Sequence, residues 1–148
     1  MENRTRLREN GLVLIVLGIL DLFMFIATMV EGIIDGTIAK ELATVAPDML
    51  LAVKIGLGVV FADVLLGLKA LKVSKNPNAS KGYITFAKIS MVLTCIALVS
   101  HVISLFDGKA HGVDAILNVA STTLSVAIYI MFIQAAEAVR NDAIAQGK

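Results

Sequence analysis

The sequence is poor in the residues that soluble domains use for their surfaces and cross-links. Its 148 residues include no tryptophan, one cysteine, two prolines, 5% aromatic residues and 17% charged residues. A typical soluble domain has about a quarter of its residues charged, so this composition excludes a soluble globular fold. The single Cys95 excludes an intrachain disulfide. The net charge of +1 gives no electrostatic reason to expect nucleic-acid binding.

Long apolar runs are what the sequence has in abundance. Hydrophobic residues make up 57% of the chain, and the mean hydropathy is +0.85. A helix needs about 20 predominantly apolar residues to cross a bilayer, and four stretches meet that requirement. The predicted transmembrane helices are residues 11–34, 49–71, 83–106 and 113–137.

The predicted fold is all-α, a single four-span transmembrane domain over residues 1–148. We expect two tandem antiparallel hairpins that form a four-helix bundle, because the chain has no room for a second domain. A weak internal repeat favours the hairpins, since residues 33–36 (Ile-Ile-Asp-Gly) align with residues 105–108 (Leu-Phe-Asp-Gly). Coincidence is the alternative, because Asp-Gly is a common turn. Ile38, Leu42 and Val45 also predict a short interfacial helix in the first outer loop.

Basic residues predict the orientation, because short loops rich in lysine and arginine stay on the cytoplasmic side. Lys40 and Lys109 fall on one side of the predicted spans. Nine basic residues fall on the other side: Arg4, Arg6, Arg8, Lys69, Lys72, Lys75, Lys81, Arg140 and Lys148. The sequence therefore predicts a multi-pass membrane protein with both termini in the cytoplasm.

Each predicted span has one stripe of small or polar residues at helical spacing. Lipid offers helices no hydrophobic reason to associate, so such stripes should face one another inside the bundle. Within them we single out Asp21, Asp63, Thr94, His101, Asn118, Ser125 and Tyr129. At 1.5 Å per residue, Asp21 and Asp63 lie within about 5 Å of the membrane midplane. An ionised carboxylate is costly there, so we expect at least one of the two to be neutral.

Two interpretations of these polar residues stay open. In the first, they are structural, and each carboxyl group hydrogen-bonds to a neighbouring helix with a contribution of about 1 kcal/mol or less. In the second, Asp21 and Asp63 begin a proton or ion path that continues through the hydroxyl groups to His101 and Asn118.

Two intramembrane lysines lie away from these stripes. Lys54 and Lys88 are near enough to the membrane surface for their ammonium groups to reach it while the alkyl chains lie in lipid. The alternative for Lys54 is an ion pair with Glu31 of another subunit, because the two residues lie at similar depth. Lys54 and Glu31 are therefore candidate interaction residues.

No enzyme motif is recognisable. The sequence has no glycine-rich phosphate loop and no Cys-x-x-Cys pair, so we expect no catalytic residues, no cofactor and no enzymatic activity. Asp107, His111 and Asp114 form only an incomplete ligand set for zinc, and we expect no metal site.

Two functions remain. The first is an interaction or accessory subunit that self-associates or joins a membrane complex, with the lipid bilayer and a membrane protein as its partners. The second is a small transporter or channel for protons or cations that uses Asp21 and Asp63. We favour the first, because a narrow bundle with small-residue stripes suits close helix packing.

Overall fold

The computed structural model describes residues 2–34, 36, 47–106 and 113–147, without the side chains of residues 28, 29, 32, 33, 47–57, 59, 60 and 114. Four helices account for most of these residues: α1 (Glu2–Ile34), α2 (Pro47–Lys75), α3 (Gly82–Phe106) and α4 (Val113–Ala145). The prediction of an all-α chain is confirmed for the described ranges.

Three of the helices have the length and composition that crossing a membrane requires. Within the described ranges, three stretches are long and apolar enough to cross a bilayer: Glu2–Ala27, Gly82–Phe106 and Ala115–Ala145. Their backbone hydrogen bonds are made within each helix, as a segment surrounded by lipid requires. These stretches overlap the first, third and fourth predicted spans.

Polar turns extend α1 and α4 beyond the predicted spans. α1 begins at Glu2 rather than at residue 11, and α4 continues to Ala145 rather than ending at residue 137. In the first turn of α1, Arg6 Nη2 lies 2.5 Å from Glu2 Oε1, one helical turn away. Asn3 Nδ2 donates a hydrogen bond of 3.1 Å to Asp142 Oδ2 near the end of α4. Hydropathy alone misses these turns because they lie outside the apolar runs.

The predicted breakers lie at helix ends. Gly36 follows α1 with φ of +67°, a left-handed conformation that glycine adopts without steric cost. α2 begins with Pro47. Proline is tolerated there because an N–H group in the first turn of a helix would have no hydrogen-bond partner within the helix. The predicted interfacial helix at residues 38–45 and the second Asp-Gly turn lie outside the described residues.

Contacts near the helix ends show which helices pack together. The start of α1 lies against the end of α2, where Gly11 approaches Gly67 and Ala70. The start of α3 lies against the end of α4, where the Tyr83 hydroxyl donates a 3.4 Å hydrogen bond to the Ala136 carbonyl. α1 also packs against α4, whereas α2 and α3 touch only over a short stretch.

Burial divides the bundle into two halves. The near half comprises residues 2–18, 61–75, 82–90 and 128–145, and it holds the hydrophobic core around Leu14, Leu66, Ala87 and Phe132. The far half comprises residues 19–34 of α1, 91–106 of α3 and 113–127 of α4. Among its described side chains, Ala115 alone is buried.

Candidate functional site

A buried polar cluster joins three helices in the near half. The Tyr129 hydroxyl of α4 donates a hydrogen bond to Asp63 Oδ1 of α2. Asp63 is 5% exposed and Tyr129 is 1% exposed, so both are enclosed by protein. The buried Ser90 side chain of α3 lies close enough to the Tyr129 hydroxyl to interact with it. We call Asp63, Ser90 and Tyr129 the Asp63 cluster.

The cluster explains how a carboxyl group is accommodated inside the bundle. Burying a polar group is costly unless it is hydrogen-bonded, and Tyr129 supplies the bond. No buried side-chain nitrogen or oxygen atom in the described part of the chain lacks a hydrogen-bond partner. Asp63 and Tyr129 are thus both buried and in contact with each other.

Asp21 differs from the prediction. It lies close enough to Asp63 for the two carboxyl groups to interact electrostatically, as their similar depth predicts, but its side chain is exposed rather than enclosed. The reason is the change in packing along α1. Asp21 lies seven residues after the buried Leu14, on nearly the same face of the helix, but at the start of the far half, where none of the described side chains of α1 is buried.

The other predicted polar residues lie in or beside the far half, on faces that continue the buried ones. Thr94, His101 and Ser125 are half-exposed, and Asn118 is exposed. Among the described residues, none of these four side chains forms a hydrogen bond to another helix. Within the described ranges, no direct hydrogen bond joins Asp63 or Tyr129 to His101 or Asn118.

The hydroxyl groups bond to their own helices instead. Thr94 Oγ1 donates to the Ser90 carbonyl at 2.9 Å, and Ser125 Oγ donates to the Ser121 carbonyl at 3.1 Å. This bonding to the carbonyl one turn earlier is a common alternative for serine and threonine inside helices. It satisfies the hydroxyl groups without a second helix, so these residues are compatible with contact with lipid.

Small residues allow α1 and α2 to cross closely. A Cβ atom built at Gly11 would lie 2.6 Å from Ala70 Cβ. A Cβ atom at Gly67 would collide with the Gly11 carbonyl oxygen and lie 2.5 Å from Ile15 Cγ1. Gly67 and Ala70 belong to the small-residue stripe predicted for the second span, and they lie at the helix contact as expected.

The sequence predicts that the Lys88 ammonium group reaches the membrane surface, and the structure adds an ion-pair partner that the sequence did not predict. Lys88 Nζ lies 2.6 Å from Glu137 Oε1, so the lysine forms an ion pair between α3 and α4. Both side chains are about half exposed, because Lys88 lies next to the buried Ala87 at the edge of the contact between the helices. Glu31 is exposed. The Lys54 side chain lies outside the described residues, as does any contact between Lys54 and Glu31.

The described residues contain no group of three His, Cys, Asp or Glu side chains that could hold a metal ion. Asp107, His111 and the Asp114 side chain lie outside them. Cys95 is half-buried and forms no disulfide.

No known family model matches the chain, and neither a curated protein nor a solved structure matches it. The chemistry of its own residues is therefore the basis for assigning a function.

Sequence reasoning missed two contacts. Ser90 belonged to the predicted stripe of the third span, but its place beside Tyr129 depends on the packing of α3 against α4. Glu137 lies at the end of the fourth predicted span. Its spacing from Lys88 carries no signal in the sequence, because the two residues meet only when the helices associate.

Proposed function

We propose that this chain is a small non-enzymatic integral membrane protein that associates with a second copy of itself, and through the same surface with a larger membrane complex. Its four helices form two tandem antiparallel hairpins that all cross the bilayer, with both termini in the cytoplasm. The proposal has two parts, the membrane arrangement and the surface through which copies associate.

Contacts at one end of the near half support the membrane arrangement. The hydrogen bond from Asn3 to Asp142 brings the start of α1 and the end of α4 together. Arg140 Nε donates a 3.2 Å hydrogen bond to the Ala79 carbonyl, so the linker between α2 and α3 lies at the same end. An even number of crossings returns a chain to the side where it started. The nine basic residues predicted on this side favour the cytoplasm.

The exposed carboxyl group of Asp21 is the observation that carries the association. Exposed apolar side chains such as Phe23 and Met24 do not by themselves indicate a contact with another protein, because lipid chains also cover apolar side chains. A charged side chain near the centre of a membrane helix is different, since it costs about 3 kcal/mol on insertion scales. Asp21 has no hydrogen-bond or ion-pair partner among the described residues, so the described part of the chain leaves this cost uncompensated.

A second copy can reduce this cost. Where two copies meet at this face, two Asp21 carboxyl groups can share a proton and a hydrogen bond. Interhelical polar contacts of this kind are typical of membrane helix interfaces. Glu31 is a second exposed acidic residue of α1 and lies ten residues after Asp21, nearer the far end of the helix. We call the surface around Asp21 and Met24 the Asp21 face.

Cysteine cross-linking in membranes tests this surface directly. In a Cys95→Ala background, Met24→Cys places a thiol on the Asp21 face. Phe23→Cys places one at the adjacent position, about 160° around α1 from Asp21. Met24 and Phe23 are 68% and 66% exposed, so the control is matched in accessibility. We expect disulfide-linked dimers from Met24→Cys and few from Phe23→Cys. Equal yields would contradict a specific interface.

Transport of protons or cations is the second candidate, and the proximity of Asp21 to the Asp63 cluster favours it. An exposed carboxyl group next to a buried one is an arrangement that a proton relay could use. The hydrogen bond between Asp63 and Tyr129 and the self-bonded hydroxyl groups favour the structural role instead.

Reconstitution into liposomes with an internal pH-sensitive dye distinguishes the two functions. If the protein only associates, an imposed potential produces no proton flux above that of empty liposomes. A flux that Asp21→Asn and Asp63→Asn both abolish would establish transport.

A further inference from the structure

A groove lies between α1 and α4 at the end of the near half, away from the Asp21 face. It encloses about 360 Å³. Arg6, Glu9 and Asn10 line it from α1, and Gln134 and Ala138 line it from α4. The small side chain of Ala138 leaves the space that a larger residue would fill.

The lining residues are ordered by depth. The contact between Asn3 and Asp142 fixes how the two antiparallel helices are aligned. At 1.5 Å per residue, Met131 then lies deepest in the bundle. The amide groups of Asn10 and Gln134 come next, and Glu9 and then Arg6 lie towards the helix ends. The lining residues therefore change from apolar to amide to charged towards the helix ends. A phospholipid changes in the same direction, from its acyl chains through its phosphate to the charged end of its headgroup.

The charges in the groove are not balanced internally. The Arg6 guanidinium is paired with Glu2 at 2.5 Å. The Glu9 carboxylate has no ion-pair or hydrogen-bond partner among the described residues, and neither have the side-chain amides of Asn10 and Gln134. A carboxylate only accepts hydrogen bonds, so the group that complements Glu9 is a cation with N–H donors. The two amides can donate to an anion next to it.

We propose that this groove binds the headgroup of a phospholipid with a primary ammonium group, as in phosphatidylethanolamine. The ammonium group donates hydrogen bonds to the Glu9 carboxylate. The side-chain amides of Asn10 and Gln134 donate to the phosphate oxygens, and the first part of an acyl chain lies against Met131. This lipid site is separate from the proposed association of two copies. It rests on one part of the proposed function, that α1 and α4 cross the bilayer with the start of α1 and the end of α4 at the membrane surface.

Native mass spectrometry of the purified chain tests the site with defined lipids. The protein is titrated with phosphatidylethanolamine and with phosphatidylcholine of the same acyl chains. The second lipid carries the same phosphate, but its trimethylated ammonium group has no N–H to donate. We expect phosphatidylethanolamine to bind at least tenfold more tightly.

Three variants locate the binding. Glu9→Gln should weaken phosphatidylethanolamine binding at least fivefold and remove most of its advantage over phosphatidylcholine. Glu137→Gln makes the same change of charge outside the groove, at a residue whose ion-pair partner Lys88 does not line it, and should alter binding less than twofold. Ala138→Leu fills the groove and should weaken binding of both lipids. Circular dichroism establishes that each variant retains its helices.

Equal affinity for the two lipids in the wild-type chain would overturn the proposal. So would an effect of Glu137→Gln as large as that of Glu9→Gln, because the binding would then depend on general surface charge. Preference for an anionic phosphatidylglycerol over phosphatidylethanolamine would also overturn it. These outcomes are independent of association at the Asp21 face, which Glu9→Gln leaves unchanged.

Discussion

Tyr129 of α4 donates a hydrogen bond to Asp63 of α2, two residues that are 66 positions apart in the chain and both almost fully buried. This bond fixes a polar contact in the middle of an apolar bundle. In lipid, where helices gain no hydrophobic energy by associating, such contacts and close packing provide much of the specificity.

Asp63→Asn should preserve the fold, because the asparagine carbonyl still accepts the hydrogen bond from Tyr129. Asp63→Leu and Tyr129→Phe should each lower the free energy of unfolding by about 1 kcal/mol, since each removes an interhelical bond. Unfolding by denaturing detergent, followed by circular dichroism, measures the difference. Ser121→Ala is the control, because the Ser121 hydroxyl bonds to the Asn118 carbonyl of its own helix at 3.1 Å. A large loss of stability in Asp63→Asn would show that the carboxyl group is required in its ionised form.

Gly67→Ala should destabilise the contact between α1 and α2. The added methyl group would collide with the Gly11 carbonyl oxygen and Ile15, and overpacking of this kind costs about 1–3 kcal/mol. Gly58→Ala in the same helix is the matched control, since a Cβ atom there meets nothing within 4 Å. It should be neutral or stabilising by up to about 1 kcal/mol through helix propensity. Equal effects of the two variants in detergent unfolding would exclude close packing at Gly67.

The ion pair between Lys88 and Glu137 should contribute little. Both side chains are about half exposed, and exposed pairs contribute about 0–1 kcal/mol. A double-mutant cycle with Lys88→Met and Glu137→Gln should give a coupling free energy below about 1 kcal/mol that decreases with added salt. A larger coupling that salt does not change would indicate that the pair is shielded from water in the membrane.

Thiol labelling in intact cells tests the membrane orientation. In a Cys95→Ala background, Ser80→Cys should resist an impermeant reagent, because the basic residues predict a cytoplasmic linker. Ala43→Cys, between the first two predicted spans, should react. Permeabilised cells provide the control for reactivity, since both thiols should then be labelled. The reverse pattern in intact cells would contradict the orientation.

The sequence predicts much of the near half because its contacts follow from residue type. Periodicity placed Asp63 and Gly67 on one face, and a carboxyl group in an apolar run required an interior partner. The sequence places Tyr129 in the polar stripe of the fourth span, but its bond with Asp63 depends on how the helices pack. In the structure Asp63 is buried, and Gly67 lies at the close contact with α1.

The exposure of Asp21 could not be predicted in the same way. Helical spacing gives the face on which a residue lies, and Asp21 does share a face with Leu14. Whether that face is covered depends on the neighbouring helices at its level, which periodicity does not describe. The helix ends at Glu2 and Ala145 also depend on local polar bonds rather than on hydropathy.

Counting subunits in lipid bilayers tests the central claim that two copies associate through the Asp21 face. The wild-type chain, labelled with a single fluorophore and reconstituted at low density, should bleach in two steps. Asp21→Asn, which retains a hydrogen-bonding side chain, should preserve two-step bleaching. Asp21→Leu should shift the population to single steps, because the polar contact between copies is lost. Single-step bleaching of the wild-type chain, or two-step bleaching that Asp21→Leu leaves unchanged, would contradict the account.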